Sequence, residues 1–141
     1  MIVLSLLKQP MVRLFLAALA LVITLIFNLL PGTPGSLIVR ASGFFGGTDA
    51  TDANAHIFLF LGLTSTWYLA ATLFFSARIA CRVVMGLGMM LGTITELAQR
   101  FVPDRGTTLL DLLANWTGVM LFGIGFTFYF WMQRKRTQQR A

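Results

Sequence analysis

Charged residues are scarce in this chain, and without them it has too little polar surface to face water on all sides. Of its 141 residues, 11% are charged and 57% are hydrophobic, and the mean hydropathy is +0.78. A soluble domain carries about 25% charged residues. The composition therefore excludes an ordinary soluble domain. It predicts a single compact helical domain whose surface is mostly covered by lipid.

Cysteine and histidine each occur once, as Cys81 and His56. A single cysteine excludes a disulfide framework within the chain and a thiolate metal cluster. The sequence also lacks the HExxH, GxSxG, phosphate-loop and dinucleotide-binding signatures. One histidine with scattered carboxylates is too few ligands for a typical metal site. We therefore predict no catalytic set, no metal and no other cofactor.

Four long apolar runs are present, at about residues 14–30, 57–75, 79–97 and 112–132. Each is near the roughly 20 residues that a helix needs to cross a bilayer, and none alternates as a barrel strand would. We therefore predict an all-α protein, with four transmembrane helices in one bundle and one domain over residues 1–141. The first run is interpreted as a retained helix, with a cleaved signal peptide as the alternative.

The predicted connections differ in length and charge. Residues 31–56 form a long loop, in which residues 36–45 are apolar but too few to span and are interpreted as an interfacial or re-entrant segment. Eight Lys and Arg residues lie on one side of the membrane, including the tail at 133–141, and three lie on the other. The positive-inside rule then places both termini in the cytoplasm. The long loop and all five acidic residues of the chain then lie outside.

The net charge of +6 and the pI near 10.8 do not indicate a nucleic-acid partner. The basic residues lie at the ends of apolar runs instead of forming a stripe, and this distribution is typical of membrane topology.

The third run carries a small-residue motif beside an acidic residue. Gly88 and Gly92 form Gly-x-x-x-Gly, and Glu96 follows four residues later on the same helix face. Such a face lets two helix backbones approach closely, so Glu96 is predicted to point into the bundle. A buried carboxylate there needs a partner. It is interpreted either as a structural ion pair or as a binding or proton-handling group.

Asp52 and His56 are four residues apart where the second helix is predicted to begin. Asp49 or Asp52 is interpreted mainly as a helix cap. His56 is interpreted mainly as a packing residue, with hydrogen bonds to Asp52 or Glu96 as a functional alternative.

The fourth run begins with Thr108 and Asp111, a capping-box pattern with aspartate in place of glutamate. Asn115 and Gly118 follow on the same face, which predicts close packing and a hydrogen-bonded amide. Arg105 precedes this helix in a short turn. It could clamp Glu96 or Asp111, or bind a phosphate.

Three predicted helix ends thus bring polar residues to one side of the membrane. We call this set the polar cluster: Asp52, His56, Glu96, Gln99, Arg105, Asp111 and Asn115. The glycines Gly88, Gly92 and Gly118 are predicted to pack the helices around it.

Four short motifs place these residues within otherwise apolar helices: Asp52-Ala-Asn-Ala-His56, Glu96-Leu-Ala-Gln99, Phe101-Val-Pro-Asp-Arg105 and Asp111-Leu-Leu-Ala-Asn115-Trp-Thr-Gly118. In this order they resemble the VanZ-like family of bacterial membrane proteins, over about half of the chain. The family usually has lysine where this chain has Ala53. The role of that cation is therefore missing here or taken by an arginine.

The resemblance implies a small protein of the bacterial inner membrane. The founding member of the family is associated with low-level resistance to the glycopeptide teicoplanin, without an established mechanism. Our leading hypothesis is a protein that binds a cell-envelope amphiphile or lipid headgroup on the outer face. Arg105 would hold an anionic group, Glu96 and Asp111 would orient it, and His56 and Asn115 would supply hydrogen bonds.

Two other hypotheses remain. The chain could be a non-catalytic accessory subunit of a larger membrane complex, such as an energy-converting one. An enzyme that uses His56 and Glu96 as acid and base ranks last, because no nucleophile or metal set accompanies them.

Overall fold

The structure, a computed structural model, describes residues 8–36, 39–40, 43, 48–105 and 108–139. Within these ranges the regular structure is entirely helical. The four long helices are α1 (Pro10–Leu29), α2 (Asp49–Ala71), α3 (Ala77–Gln99) and α4 (Leu109–Gln138). The predicted all-α architecture is confirmed over these ranges. The predicted interfacial segment at 36–45 lies largely outside the described residues.

The helix ends follow from their capping residues. Pro10 opens α1, where its missing N–H costs no hydrogen bond. Thr48 caps α2, because its hydroxyl accepts a hydrogen bond from the Thr51 backbone N–H at 3.2 Å. The interpretation of Asp49 or Asp52 as the cap is therefore wrong. Asp49 is the first helical residue, and Asp52 lies one turn inside the helix.

Among the described helices, α1, α3 and α4 are long and apolar enough to cross a membrane. By composition the chain is therefore a membrane protein, and its surface carries many exposed large apolar side chains, among them Phe58, Phe101 and Ile124. α2 is not in this group although it has 23 residues. Asn54, His56 and a run of hydroxyl residues at 64–66 make it more polar.

The helices run up and down, with α2 packed against all three others. The start of α1 lies beside the end of α2. There Nη1 of Arg13 donates to the Leu69 carbonyl at 3.4 Å and to the Thr72 hydroxyl at 3.2 Å. Phe60 and Leu63 of α2 form the apolar core together with Val119 of α4. We call the end where α1 and α3 finish and α2 and α4 begin the polar end, and the opposite end the basic end.

Three glycines that the sequence predicted as packing residues lie at close helix contacts. A side chain at Gly118 would collide with the backbone carbonyl of Ile57, so α2 and α4 touch there backbone to backbone. Gly88 and Gly92 face side chains of α2 and α4, whereas Gly86 meets nothing within 4 Å. The Gly-x-x-x-Gly face of α3 thus lies against its two neighbours.

Candidate functional site

The seven residues of the polar cluster lie in the first turns of α2 and α4, in the last turn of α3, and in the turn between α3 and α4, all toward the polar end. Five of them are buried in the bundle: His56, Glu96, Gln99, Asp111 and Asn115. The side chain of Arg105 is 10% exposed, and that of Asp52 is 37% exposed. The cluster is therefore a mostly buried polar site with one carboxylate at its rim.

A hydrogen-bonded pair at the centre of the cluster joins α2 to α4. The Oδ1 atom of Asn115 lies 2.8 Å from Nδ1 of His56, and its Nδ2 donates to the Gly92 carbonyl at 3.3 Å. Because the Gly92 carbonyl must face the amide N–H, Oδ1 faces the ring as an acceptor. Nδ1 of His56 is then the donor, and in the neutral ring the lone pair lies on Nε2.

A second network joins α3 to the start of α4. Oε1 of Glu96 accepts the backbone N–H of Thr108 at 2.8 Å. The Thr108 hydroxyl accepts the backbone N–H of Asp111 at 3.0 Å and donates to its Oδ2 at 2.6 Å. In an ordinary capping box the carboxylate at the third helical position would take the cap N–H. Here Glu96 takes it from another helix, so the cap of α4 is shared with α3.

Arg105 joins the loop before α4 to α1 and α2. Nη2 donates to the Phe27 carbonyl at 2.6 Å, and Nη1 lies 3.8 Å from Oδ2 of Asp52. Among the described residues, Arg105 thus forms its ion pair with Asp52. The sequence analysis had suggested Glu96 or Asp111 as the partner instead. Arg105 still interacts electrostatically with Glu96 at longer range.

The turn that carries Arg105 packs tightly against the end of α1. The Gly32 N–H donates to the Pro103 carbonyl at 3.1 Å. A side chain at Gly32 would collide with the Asp104 carbonyl, and Asp104 has a φ of 54°. This close contact holds the turn over the polar cluster.

α1 contributes two polar residues that the sequence interpretation missed. Gln99 Nε2 donates to the Asn28 carbonyl at 3.0 Å, and Asn28 Nδ2 donates to the Thr24 carbonyl at 2.8 Å. Thr24 and Asn28 are both buried. They are polar residues four apart in an otherwise apolar run, so they share a helix face. That spacing was a usable signal for a buried polar contact.

Two oppositely charged side chains of the polar cluster each have one buried polar atom without a hydrogen-bond partner among the described residues. These atoms are Oε2 of Glu96 and Nε of Arg105. Buried polar atoms are nearly always partnered in proteins, so each such atom needs an explanation.

Three side chains could together hold a metal ion. One potential ligand atom from each of Asp52, His56 and Asp111 lies within 4.8 Å of those of the other two. The structure therefore brings Asp111 close to Asp52 and His56, which precede it by 59 and 55 positions in the sequence.

The basic end has a different kind of site. A groove of about 1040 Å³ is lined by α3 and α4 residues, including Arg78, Arg82, Arg134, Met85 and Trp131. Lys135 lies over the Trp131 ring, 4.0 Å from its centroid. Cationic and apolar groups thus occur side by side along this surface.

No protein-family model, curated protein or solved structure matches this chain. The resemblance to the VanZ-like family stays a prediction, and the functional proposal rests on the residues and their geometry.

Proposed function

We propose that this chain is a four-span protein of the bacterial inner membrane, with both termini in the cytoplasm, that binds the headgroup of a membrane amphiphile at the polar cluster. The orientation is supported by the distribution of Lys and Arg, eight on one side and three on the other. The resemblance to the VanZ-like family favours the bacterial inner membrane.

The fourth span in this proposal is α2. Its 23 residues exceed the roughly 20 that cross a bilayer. Its carboxyl end contacts Arg13 at the start of α1, and its amino half contacts Asn115 near the start of α4. α2 therefore extends between the same two ends as its neighbours. Its polar side chains face the bundle at His56 and Thr64, both of which are buried.

The observation that carries the headgroup proposal is the pair of unpartnered atoms, Oε2 of Glu96 and Nε of Arg105. A carboxylate oxygen accepts hydrogen bonds from an ammonium group, and a guanidinium N–H donates to a phosphate. A zwitterionic headgroup that contains both groups, such as phosphoethanolamine, offers a partner of the right charge to each atom. A purely anionic headgroup would leave Glu96 without a partner.

The surrounding geometry is compatible with entry from the membrane surface. Asp52 is 37% exposed, and its 3.8 Å ion pair with Arg105 is longer than a hydrogen bond. A phosphate could replace this contact without breaking a hydrogen bond between the two residues. Asp111 already accepts from Thr108, so Glu96 is the carboxylate with an open oxygen atom.

The test measures lipid retention by the purified chain. The protein is extracted in mild detergent from membranes that contain zwitterionic and anionic phospholipids, and bound lipid is identified by native mass spectrometry. We expect one retained zwitterionic lipid per chain. Glu96→Gln and Arg105→Gln should each lower retention at least tenfold, because each removes one charge that the headgroup requires.

Arg100→Gln and Asp104→Asn are the matched controls, since both residues are exposed near the same end. They should retain lipid like the original chain. Equal retention by all five proteins would exclude the headgroup site. Recovery of a stoichiometric partner protein with no retained lipid would instead favour the accessory-subunit alternative.

A further inference from the structure

The polar cluster contains more negative than positive charge. Asp52, Glu96 and Asp111 oppose the single guanidinium of Arg105 among the cluster residues, and Glu96 and Asp111 are buried. Unbalanced charge is costly to bury, and it is compensated by protons or by a cation. With all three carboxylates ionised, the cluster residues have a net charge of −2, which one divalent cation would balance.

The hydrogen bonds around His56 leave one ring nitrogen as a potential metal ligand. The Asn115 amide donates through Nδ2 to the Gly92 carbonyl, and its Oδ1 accepts a hydrogen bond from Nδ1 of His56. The lone pair of the neutral ring is then on Nε2. Metal-bound histidines are held in this way, with one nitrogen on the metal and the other donating to a fixed oxygen atom.

We propose that Asp52, His56 and Asp111 bind one divalent transition-metal ion, with Zn²⁺ as the ion that fits this ligand set best. Their potential ligand atoms lie within 4.8 Å of one another. Ligand atoms around a tetrahedral zinc ion lie about 3.3 Å apart, so binding requires a small inward adjustment of the three side chains. This site shares Asp52 and Glu96 with the proposed headgroup site, but it does not require a bound headgroup.

A separate observation points to the same place. Glu96 is 5% exposed, its Oε2 has no partner among the described residues, and it interacts electrostatically with both Asp111 and His56. Its Oε1 is held by Thr108, whose hydroxyl donates to Asp111. A bound cation gives this buried carboxylate a nearby positive charge, and Glu96 or water can complete the coordination.

The ligand chemistry selects among ions. One imidazole and two carboxylates suit Zn²⁺ and related transition metals, whereas Ca²⁺ and Mg²⁺ prefer sites built from oxygen atoms alone. The ion pair of Arg105 with Asp52 would then orient a ligand carboxylate from outside, a common role for charged neighbours of metal sites.

The test is a metal titration of the purified full-length chain in lipid-free detergent after treatment with a chelator. We expect calorimetry with ZnCl₂ alone to show one Zn²⁺ per chain, and MgCl₂ to bind at least tenfold more weakly. Asp52→Asn and Asp111→Asn should each weaken Zn²⁺ binding at least tenfold. Co²⁺ should give a ligand-field absorption spectrum in the original chain that these variants lose.

Asp104→Asn is the matched control, because Asp104 is an exposed carboxylate at the same end of the molecule. It should bind Zn²⁺ like the original chain. Absence of saturable binding at one equivalent would overturn the proposal, and so would an equal loss in Asp104→Asn and Asp52→Asn. If Asp111→Asn fails to fold, Asp52→Asn decides, since Asp52 is the ligand at the rim. The titration contains no phospholipid, so its failure is distinguishable from failure of the headgroup proposal.

Discussion

The two ends of this molecule carry charge in different ways. At the polar end, Glu96 and Asp111 are buried, and both are hydrogen-bonded to Thr108, the cap of α4. At the basic end, Arg82 and Arg134 are exposed along an open groove. The polar end thus holds two carboxylates inside the helix bundle, whereas the basic end displays these arginines on its surface.

This contrast separates two uses of polar residues in a membrane protein. Exposed arginines at helix ends set orientation and contact lipid phosphates, and many positions can serve that role equally well. Buried carboxylates must be compensated one by one, so their positions are specific. Substitutions at the polar end should therefore have large effects that depend on the residue, whereas those at the basic end should have small effects.

The first prediction addresses whether the two ends face opposite sides of the membrane. We expect nearly complete labelling of a cysteine at one end and nearly none at the other. With Cys81 replaced by serine, a cysteine at Gly43 should react with an impermeant thiol reagent in intact cells, and one at Gln138 should not. The excess of Lys and Arg at the basic end is the physical reason.

Membrane permeabilisation provides the control, because both cysteines should then react. Labelling of Gln138→Cys but not Gly43→Cys in intact cells would reverse the orientation. The polar cluster would then face the cytoplasm, and the envelope amphiphile would have to be abandoned as its ligand.

The next largest effect is expected where α2 and α4 touch near the polar end. Gly118→Ala places a methyl group against the Ile57 carbonyl, so the helices must separate. We expect a loss of about 2–3 kcal/mol in the free energy of unfolding. Gly125→Ala is the matched control on the same helix, where a side chain meets nothing within 4 Å.

Gly125→Ala should be neutral or slightly stabilising, because alanine favours helix by about 0.5–1 kcal/mol over glycine. Thermal or denaturant unfolding in detergent measures both variants. If both variants lose the same stability, the helices are packed no more closely at Gly118 than at Gly125, and the contrast between the two positions is contradicted.

Much of the fold was predictable from composition and spacing. Four apolar runs predicted four helices, and Thr108 with Asp111 predicted the start of α4, where Thr108 is indeed the cap. These features are local, since run length and caps depend on residues within one or two turns. Helix ends were less accurate, because polar first turns such as 49–56 extend α2 beyond its apolar run.

Partner choice within the polar cluster was not predictable from local pattern. Arg105 lies near three carboxylates, and the turn before it determines which one it reaches. The spacing of Thr24 and Asn28 indicated a shared polar face of α1, but it could not identify Gln99, 71 residues away in the sequence, as the partner of Asn28. Such contacts depend on tertiary geometry, which spacing along one helix does not contain.

The third prediction compares two amides, one buried near the polar end and one exposed at the basic end. Asn115→Ala leaves the buried Nδ1–H of His56 without its acceptor. We expect a loss of about 2 kcal/mol in the free energy of unfolding. Gln133→Ala removes an exposed hydrogen bond to Tyr129 and should change stability by less than about 0.5 kcal/mol.

Denaturant titration in one detergent measures both amide variants. A cost for Gln133→Ala equal to that for Asn115→Ala would contradict the contrast between the two ends. If Asn115→Ala proves harmless, the hydrogen bond does not hold the His56 ring, and the argument for a lone pair on Nε2 is lost.

The smallest effect is expected for the ion pair of Arg105 and Asp52. Asp52 is 37% exposed, so water can solvate it when Arg105 is removed, and the pair should contribute about 0.5–1 kcal/mol. A double-mutant cycle with Arg105→Gln and Asp52→Asn measures this coupling. A second cycle with Arg105→Gln and Glu96→Gln should give less, because Glu96 and Arg105 interact only at longer range. Arg82→Gln, which changes an exposed arginine of the basic end, should cost less than about 0.5 kcal/mol. If the Glu96 coupling exceeds that of Asp52, then Glu96 is the true partner. The two unpartnered atoms would in that case compensate each other, and the observation that carries the headgroup proposal would be lost.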